Sequence, residues 1–470
     1  MNNTILLSAL IIGSGVLAAL HALLTKRDSK AAFGWIGFCL ILPIAGPLVY
    51  LIFGINRIHQ RANKAFFTRL EIDQSPSILD PEDAELRPLS TVGERVTGKG
   101  LRAANSVSML ENGEQFYPEM LDAIAGAQDK IHLSSYIFDN DHVGDQVVQA
   151  LCAARDRGVS VRIIIDALGE FMCLPRPRIG GKLARHGLNF ARFNPITLFP
   201  PALHINMRNH RKILVVDGTV AFTGGQNIGA RQLAERQTDH GRVEDLHFKF
   251  TGKIVDELER AFLRDWYHAH GKKDPQVFNP INPNPTRSRI WTRLVLDGPN
   301  EYLDRLNDLL VGIISTARQR VWIMTPYFLP GPDIAAALVG ARLRGVDVRL
   351  VLPAKNNILL VHWANQNILP YYLEKDIAIY FQPPPFVHTK ALIIDDEYSL
   401  IGSANLDARS LRLNFELGVE IFDRDLNNQL AVYINKKIHN AKRLDQSQLD
   451  SASLPSRVRN ALAWLFSPYL

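Results

Sequence analysis

Apolar residues dominate the first 55 positions of the chain, and shorter apolar runs recur throughout the rest. The run Ile5–Leu24 contains no charged side chain and is long enough to cross a bilayer as a helix. A second uncharged stretch covers residues 31–55, and a short polar turn around Lys26 separates the two runs. This pattern predicts a transmembrane helical hairpin over residues 1–60.

Three helix-breaking residues interrupt the second stretch: Pro43, Gly46 and Pro47. Such residues kink a membrane helix or make it re-entrant, provided that packing satisfies the freed backbone carbonyls. The alternatives are a secretory signal, disfavoured because no basic segment precedes the first run, and a buried hairpin of a soluble protein. Basic residues flank the second stretch on both sides, so their count does not fix the orientation of the hairpin.

Beyond the hairpin, the apolar and polar pattern describes one α/β unit that occurs twice. Residues 61–100 are polar and contain prolines, which predicts a linker, and a second proline-rich connector separates the two copies. An apolar strand, a helical pattern and an Arg-Gly-Val-x-Val-Arg segment follow one another at residues 131–162 and again at 322–349. We therefore predict an α/β fold of two pseudo-symmetric α/β/α halves, residues 101–278 and 286–470, with the active site at their interface.

Composition limits the class of protein. Hydrophobic residues make up 47% of the chain and charged residues 21%, which excludes a disordered or fibrous protein. The three cysteines show no C-x-x-C spacing, so neither a disulfide framework nor a zinc site is predicted. The net charge of +6 suits an anionic partner, either nucleic acid or a phospholipid surface.

A short polar motif occurs once in each half with the same internal spacing. It reads His-x-Lys-x4-Asp and is followed by Asn 17 residues after the histidine. The two copies match at a shift of 178 residues: His210, Lys212, Asp217 and Asn227 in the first half, and His388, Lys390, Asp395 and Asn405 in the second. A lone His-x-Lys is typical of a solvated strand end, but two copies in register indicate a duplicated site.

The spacing of the motif has a physical reason. His and Lys two residues apart on a strand point to the same face, so an imidazole and an ammonium group can meet one substrate group. The aspartate should face away or cap the end of the strand, which predicts a supporting role. The asparagine can donate to a phosphoryl oxygen, and the glycines before it allow close backbone approach. No further His, Cys or carboxylate shares the spacing, so we expect no metal.

The duplicated motif resembles that of the phospholipase D superfamily, and its flanks are similar to those of bacterial cardiolipin synthases. The flanking similarity includes residues 402–410, Asn414 and Glu416, and in the hairpin Arg27, Asp28 and the Pro43 region. The resemblance covers almost the whole chain. It implies a phosphatidyltransferase without cofactor or metal, whose catalytic motifs are the two His-x-Lys-x4-Asp sequences.

The resemblance also implies a role for each site residue. One histidine attacks phosphorus and forms a phosphatidyl-histidine, and the other acts as acid and then as base. Following the order that is usual in the family, His210 is the nucleophile and His388 the acid and base, although sequence symmetry alone does not assign them. The lysines and asparagines would stabilise charge on the phosphoryl oxygens.

Each imidazole should have a carboxylate that orients its second nitrogen. Glu416 fits the family position in the second half. Asp245 is the best match in the first half, and Glu244 is the alternative. The first half lacks the Arg-Ser and Asn-x-Glu sequences that follow Asn405, so the partner of His210 stays open.

The implied substrate is phosphatidylglycerol, used once as donor and once as acceptor, with glycerol released and cardiolipin formed. The expected partners are this lipid and the anionic membrane, without nucleic acid, and the expected location is the bacterial inner membrane as a multi-pass protein. The alternatives are a hydrolase that uses water, a transferase that uses another alcohol or phosphatidylethanolamine, and a membrane-tethered nuclease or inactive scaffold.

Overall fold

The computed structural model describes residues 2–26, 29–54, 86–173, 177–195, 207–235, 241–270, 290–299, 302–446 and 452–469. The chain divides into two compact units, residues 1–62 and 63–470. The turn residues Arg27 and Asp28 lie outside the described residues. Residues 55–85, which include most of the predicted linker, also lie outside them.

Helices form the N-terminal unit. Helix α1 (Asn2–Thr25) contains the segment Ile5–Thr25, and within the described residues this is the one helix long and apolar enough to cross a membrane. Helix α2 (Ser29–Ile41) ends before Pro43, and α3 (Ala45–Val49) and a π-helical turn (Tyr50–Gly54) follow. The predicted interruption of the second stretch is therefore present. At 1.5 Å per residue, α2 spans about 20 Å, less than the roughly 30 Å hydrocarbon core of a bilayer, so a second full span is not found.

Close packing joins α1 to the broken second stretch. A Cβ atom at Gly15 would lie 2.8 Å from the carbonyl oxygen of Cys39, so only glycine allows the helices to approach this closely. Cys39 and Tyr50 are buried, and the Tyr50 hydroxyl lies 2.8 Å from His21 Nδ1.

The described part of the second unit begins with a helix in the interval predicted as a linker. Helix α4 (Arg87–Thr97) carries Leu89, Val92 and Val96 on one face, and this face packs into the core of the second half. Pro88 occupies the first turn, where a proline starts a helix rather than breaking it. The end of the predicted linker is thus part of the folded body, and the other domain boundaries stay predictions.

The first half contains these strands: β1 (Arg102–Glu111), β2 (Lys130–Ser135), β3 (Ser160–Asp166), β4 (Phe190–Phe193), β5 (Ile213–Val216), β6 (Val220–Gly224), β7 (Val243–Glu244) and β8 (Leu246–Gly252). Its helices are α5 (Asn112–Gly126), α6 (His142–Asp156), α7 (Ala167–Phe171), α8 (Ile179–Arg185) and α9 (Ile254–His270), with a 3-10 turn at Ala230–Gln232.

The second half contains β9 (Ile290–Asp297), β10 (Arg320–Met324), β11 (Phe328–Leu329), β12 (Asp347–Pro353), β13 (Ala378–Gln382), β14 (Phe386–Val387), β15 (Ala391–Ile394), β16 (Tyr398–Gly402), β17 (Leu406–Asp407), β18 (Glu416–Phe422) and β19 (Lys442–Arg443). Its helices are α10 (Arg305–Thr316), α11 (Pro332–Leu343), α12 (Leu359–Leu373), α13 (Ala408–Arg412), α14 (Arg424–His439) and α15 (Leu454–Trp464), followed by a 3-10 turn at Ser467–Tyr469.

One 15-stranded sheet runs through both halves in the order β19-β13-β12-β10-β15-β16-β18-β9-β1-β8-β6-β5-β2-β3-β4. Strands β9 and β1 pair antiparallel near its centre, where Ala103 lies opposite Trp291. The order outward from β1 repeats the order outward from β9, and each half has its own buried apolar cluster. The predicted pair of pseudo-symmetric α/β halves is confirmed.

Candidate active site

The two copies of the motif occupy equivalent places in the sheet. His210 and Lys212 lead into β5, and His388 and Lys390 lead into β15. The apolar strands that follow are fully buried and fix the position of each motif. Lys212 and Lys390 are only 2% and 6% exposed, although charged side chains are rarely buried without a partner.

The carboxylates that orient the two imidazoles are exchanged between the halves. Nδ1 of His210 lies 3.1 Å from the carboxylate of Glu416 in the second half, and Nδ1 of His388 lies 2.8 Å from Asp245 in the first half. An ionised carboxylate only accepts, so Nδ1–H of His210 donates to Glu416, and Nδ1–H of His388 donates to Asp245 when Asp245 is ionised. Both carboxylates lie at the imidazoles, but the expected pairing within each half is wrong. Glu416, expected at His388, lies at His210, and Asp245, the best match for His210, lies at His388. The alternative, Glu244, instead accepts a hydrogen bond from Lys437.

Backbone pairing between the halves causes this exchange. The His210 amide donates to the Phe415 carbonyl, 2.9 Å away, and Phe415 directly precedes Glu416. Likewise, the His388 amide donates to the Glu244 carbonyl over 2.7 Å, next to Asp245. Strands β14 and β7 continue this second pairing in parallel register. Each histidine is thus aligned with the residue beside the carboxylate of the other half.

Two glycines make room for these contacts. A Cβ atom at Gly225 would collide with both carboxylate oxygens of Asp245, and one at Gly402 would collide with the Leu417 carbonyl oxygen beside Glu416. The predicted close approach at the glycines before each asparagine is therefore present. What lies against these glycines is Asp245 in the first half and the backbone beside Glu416 in the second half.

Each lysine lies beside its own histidine. Lys212 Nζ donates to the carbonyl of His210 over 2.7 Å, and its ammonium group lies 5.5 Å from the centre of the Tyr136 ring. Lys390 Nζ lies 2.9 Å from Nε2 of His388. The predicted placement of an imidazole and an ammonium group on one face is thus seen in both halves.

Burial shapes the protonation of the basic groups. It lowers the pKa of Lys212 to about 7 and that of Lys390 to about 8, because the ammonium form loses hydration. Burial also lowers the pKa of His210, and it lowers that of His388 further together with the charge of Lys390. The lysine of each half also lowers the pKa of the opposite histidine, so the two motifs converge on one electrostatic centre.

The two carboxylates differ in pKa. Burial raises the pKa of Asp245 to about 7. Burial acts in the same direction on Glu416, but the charge and hydrogen bond of His210 outweigh it and hold the pKa of Glu416 below its usual value. His210 is therefore paired with the more firmly ionised carboxylate.

The asparagines lie beside the motifs and are buried. Asn227 Oδ1 accepts the backbone N–H of Ile137 over 3.1 Å, and Asn405 Nδ2 donates to the Ser410 hydroxyl over 3.1 Å. Asn405 Oδ1 is buried and has no hydrogen-bond partner among the described residues. The role of both residues in phosphate binding stays a prediction.

Asp217 and Asp395 do not belong to the reacting centre. Asp217 follows β5 at the end opposite His210, and its carboxylate accepts the backbone N–H groups of residues 128–130, each at 2.9 Å. Asp395 accepts those of residues 318–320 in the same way. These contacts support the predicted capping role over a catalytic one, and the role of both aspartates stays a prediction. Each aspartate directly follows the last residue of its strand, so it lies at the end opposite the lysine.

Several contributing residues were missed by the motif. The Ser403 hydroxyl donates to Glu416, and Asn414 Nδ2 donates to it over 3.2 Å. The Tyr136 ring packs edge-on against His210, with 4.9 Å between centroids. Arg231 forms a bidentate pair with Asp139 at 3.0 Å. Arg231 matches Arg409 at the same shift of 178, which is the signal in the sequence that points to it.

Comparison with known proteins decides the family. The family model described as cardiolipin synthase, PLD-like domain, matches residues 120–266 and 310–438, which is more than half of the chain. The chain belongs to this family of phospholipase D-like cardiolipin synthases. A second model, the phospholipase D-nuclease N-terminal family, matches residues 15–54. The predicted family is confirmed, and the chain is an enzyme of the phosphatidyltransferase class.

Individual relatives cover the whole chain. A cardiolipin synthase of Geobacillus kaustophilus is 31% identical over 99% of this chain and 94% of the relative. The major cardiolipin synthase ClsA of Bacillus subtilis is 28% identical over 100% of this chain and 99% of the relative. A crystal structure of phosphatidylserine synthase from Haemophilus influenzae superposes with a TM-score of 0.63 at 15% identity, over 81% of this chain and 100% of that one. This last similarity shows the fold alone.

Within the described residues, no three His, Cys, Asp or Glu side chains are grouped as a metal site would require. The protein is membrane-associated, as its family and its apolar N-terminal helix indicate.

Proposed function

We propose that this cardiolipin synthase transfers a phosphatidyl group from one phosphatidylglycerol to another, through a phosphatidyl-histidine on His210. The supporting observation is the pair of imidazoles, each held through Nδ1 by a carboxylate of the other half. With Nδ1–H engaged, Nε2 of His210 carries the free lone pair that a nucleophile needs.

In the first step, Nε2 of His210 attacks phosphorus and the bond from phosphorus to the glycerol oxygen breaks. His388 gives its proton to that oxygen, so glycerol leaves as a neutral alcohol. The positive charge that develops on His210 is stabilised by Glu416, the carboxylate with the lowered pKa. This favours His210 over His388 as the nucleophile.

Bound substrate raises the pKa of His388, so that this histidine can take from solvent the proton that the step needs. In the free site, burial and Lys390 lower the pKa of His388. A phosphodiester brings one negative charge beside His388, which favours the imidazolium form. His388 therefore becomes a competent acid when the lipid is bound, while Lys212 and Lys390 stabilise the equatorial phosphoryl oxygens.

In the second step, the terminal hydroxyl of another phosphatidylglycerol gives its proton to His388. Its oxygen attacks phosphorus, the bond from phosphorus to nitrogen breaks, and cardiolipin leaves. Both steps use the same groups in opposite directions, which restores the starting protonation of the enzyme.

We also propose that the N-terminal unit embeds the enzyme in the bacterial cytoplasmic membrane, with α1 spanning the bilayer and the shorter α2 to Gly54 segment entering it as a re-entrant element. The contact of His21 with the buried Tyr50 and the close approach at Gly15 support a packed helical pair.

The proposal is tested by trapping the covalent intermediate. His388→Ala should lack both the acid and the base, so turnover of phosphatidylglycerol should fall more than about a hundredfold. A phosphatidyl ester with an activated leaving group needs no proton, so this variant should accumulate a label on His210. The label should be stable to base and labile to acid, as expected of a phosphoramidate.

The reverse variant provides the control. His210→Ala should take no label from the same substrate, and wild-type protein should convert phosphatidylglycerol to cardiolipin and glycerol without phosphatidic acid. A label on His388 in the His210→Ala variant would show that His388 is the nucleophile and His210 the acid and base. No label in either variant, with an active wild type, would indicate direct displacement in one step.

A further inference from the structure

The catalytic unit has a second apolar feature that the transfer reaction does not use. Helices α12 and α15 pack together through Val361, Ala364 and Ala463, which are buried with Leu329 in a small cluster. The other side of this helix pair is also apolar, and a groove between the helices opens to solvent there.

Six large apolar side chains form this outer surface, which we call the docking face. Each is between 50% and 72% exposed: Leu359, Leu454, Val458, Leu462, Leu465 and Phe466. In α15 and the turn that follows, the spacing of 4, 4 and 3 residues places Leu454, Val458, Leu462 and Leu465 on one helical face. Single exposed apolar residues are ordinary in proteins, but a continuous stripe of them marks an interaction surface.

Within the two helices of the docking face, the only Lys, Arg, Asp or Glu side chains are arginines. Helix α15 contains Arg457 and Arg459 and no acidic residue, and α12 contains no acidic residue either. Arg459 lies over the Trp363 ring, 4.8 Å from its centre, at the edge of the groove. An apolar helical face bordered by cations is the pattern of a helix that lies in the headgroup region of an anionic bilayer.

The docking face adjoins the active site at two places. Asn357, two residues before α12, accepts a hydrogen bond of 2.8 Å from the Tyr327 hydroxyl, and the Tyr327 ring stands edge-on to His388 at 6.4 Å. The turn Ser467–Tyr469 after α15 contacts α13, which carries the Ser410 that binds Asn405. A lipid that reaches the docking face is therefore close to the second motif.

We propose that the docking face lies on the surface of an anionic bilayer, with Arg457 and Arg459 among the headgroups and the apolar side chains below them. The face holds the catalytic unit at the membrane independently of the N-terminal unit. It presents the second motif to lipid headgroups without extracting the whole lipid. The choice of a phospholipid surface as the partner rests on the proposed function, because that function requires two lipids to reach the site.

An added tryptophan reports where the docking face lies. Full-length Phe466→Trp is reconstituted in vesicles of phosphatidylglycerol and phosphatidylcholine, with or without bromine atoms on the acyl chains, and its emission is compared with that of the wild type. The added emission should shift to the blue and be quenched by brominated lipid. Leu343→Trp is the matched control, because Leu343 is 78% exposed and precedes β12, at the end of the strands opposite the motifs.

Equal quenching of both added tryptophans, or none at Phe466→Trp, would overturn the proposal. The second outcome includes a face that is covered by another copy of the chain or by residues 1–62. This measurement needs no turnover, so its result is independent of whether the proposed transfer reaction is right.

A kinetic test uses polar substitutions on the same surface. The double variant Val458→Gln and Leu462→Gln should raise the bilayer lipid concentration at half-maximal rate by about tenfold. Its rate on monomeric short-chain phosphatidylglycerol should be unchanged, and Leu343→Gln should match the wild type on both substrates. An unchanged half-maximal concentration in a folded double variant would contradict the docking role.

Discussion

The exchange of carboxylates allows the two half-reactions to be separated by single substitutions. Glu416→Gln removes the anion beside the proposed nucleophile, and Asp245→Asn removes the anion beside the acid and base. We expect each variant to lose about 10²- to 10⁴-fold in cardiolipin formation, as when the orienting carboxylate of a catalytic histidine is neutralised. Steady-state rates on phosphatidylglycerol measure this loss.

The activated substrate distinguishes the two variants. Glu416→Gln should slow the labelling of His210, whereas Asp245→Asn should label normally and lose the label slowly. Glu244→Gln is the matched control, because Glu244 neighbours Asp245 but binds Lys437, and it should behave as the wild type. If Asp245→Asn slowed labelling and Glu416→Gln slowed loss of the label, each carboxylate would serve the histidine of its own half.

The pKa values of the lysines predict how activity depends on pH. Lys212 and Lys390 must carry charge to stabilise the phosphoryl oxygens, and burial lowers their pKa values to about 7 and about 8. Charge is therefore lost as pH rises through these values, so kcat/KM should fall above about pH 7. His210 must be neutral to attack and its pKa is shifted downward, so the fall on the acidic side should begin below pH 6.5.

Lys212→Arg tests this assignment, since a guanidinium group keeps its charge at high pH. The maximal rate should decrease because the geometry differs, but the alkaline fall of kcat/KM should move to higher pH. A profile that stays flat to pH 9 in the wild type would contradict the role of the lysines.

At the scale of elements, Asp217 and Asp395 hold the turns at the far ends of β5 and β15. Asp217→Ala would leave three backbone N–H groups without their acceptor, at a cost of about 2–3 kcal/mol in the free energy of unfolding. Asp217 also has a φ of 52°, which Asn tolerates better than Ala. Asp217→Asn should therefore be the milder change.

Denaturant unfolding and activity per folded molecule measure this prediction. The folded fraction of Asp217→Ala should retain a kcat within about threefold of the wild type, because the residue does not touch the substrate. A large loss of kcat in a stable variant would return Asp217 to the reacting centre.

The repeat and the motif could be predicted from the sequence because both depend on local spacing. Side chains two residues apart on a strand share a face, which predicted that His210 and Lys212 lie together. Asp217 lies an odd number of residues from Lys212, which predicted that it faces away or caps the strand end. The partner of His210 could not be predicted, because the His210–Phe415 backbone pairing joins residues more than 200 positions apart. The burial of α4 could not be predicted either, because α4 packs against residues that are distant in the sequence. The prolines in this interval indicated a linker instead of a helix with an apolar face.

At the scale of the whole molecule, residues 1–62 form a compact unit of their own. Deletion of residues 1–60 should therefore leave a folded α/β body whose thermal unfolding is cooperative. Activity on bilayers should fall by about tenfold or more, because the anchor raises the effective concentration of enzyme at the interface. Activity on detergent-dispersed lipid should change far less, and equal losses on both substrates would show that the anchor is part of the catalytic fold.

The continuous sheet also limits how the two halves can move during turnover. Strands β9 and β1 join the halves through backbone hydrogen bonds, and Arg211 binds the Glu416 and Asp297 carbonyls across the same seam at 3.0 and 2.9 Å. We therefore expect the two motifs to stay in register during turnover, rather than to open and close as separate domains.

The exchanged carboxylates bear on the ancestry of the chain. A single repeat contains a histidine and a carboxylate that cannot serve each other, so one repeat alone has no working centre. A pair of repeats related by a two-fold axis has two equivalent imidazoles, each completed by its neighbour. A duplication that fused two such units into one chain would keep each imidazole complete, because each repeat supplies the carboxylate of the other. Activity therefore requires both repeats, because damage to either repeat disables the imidazole of the other.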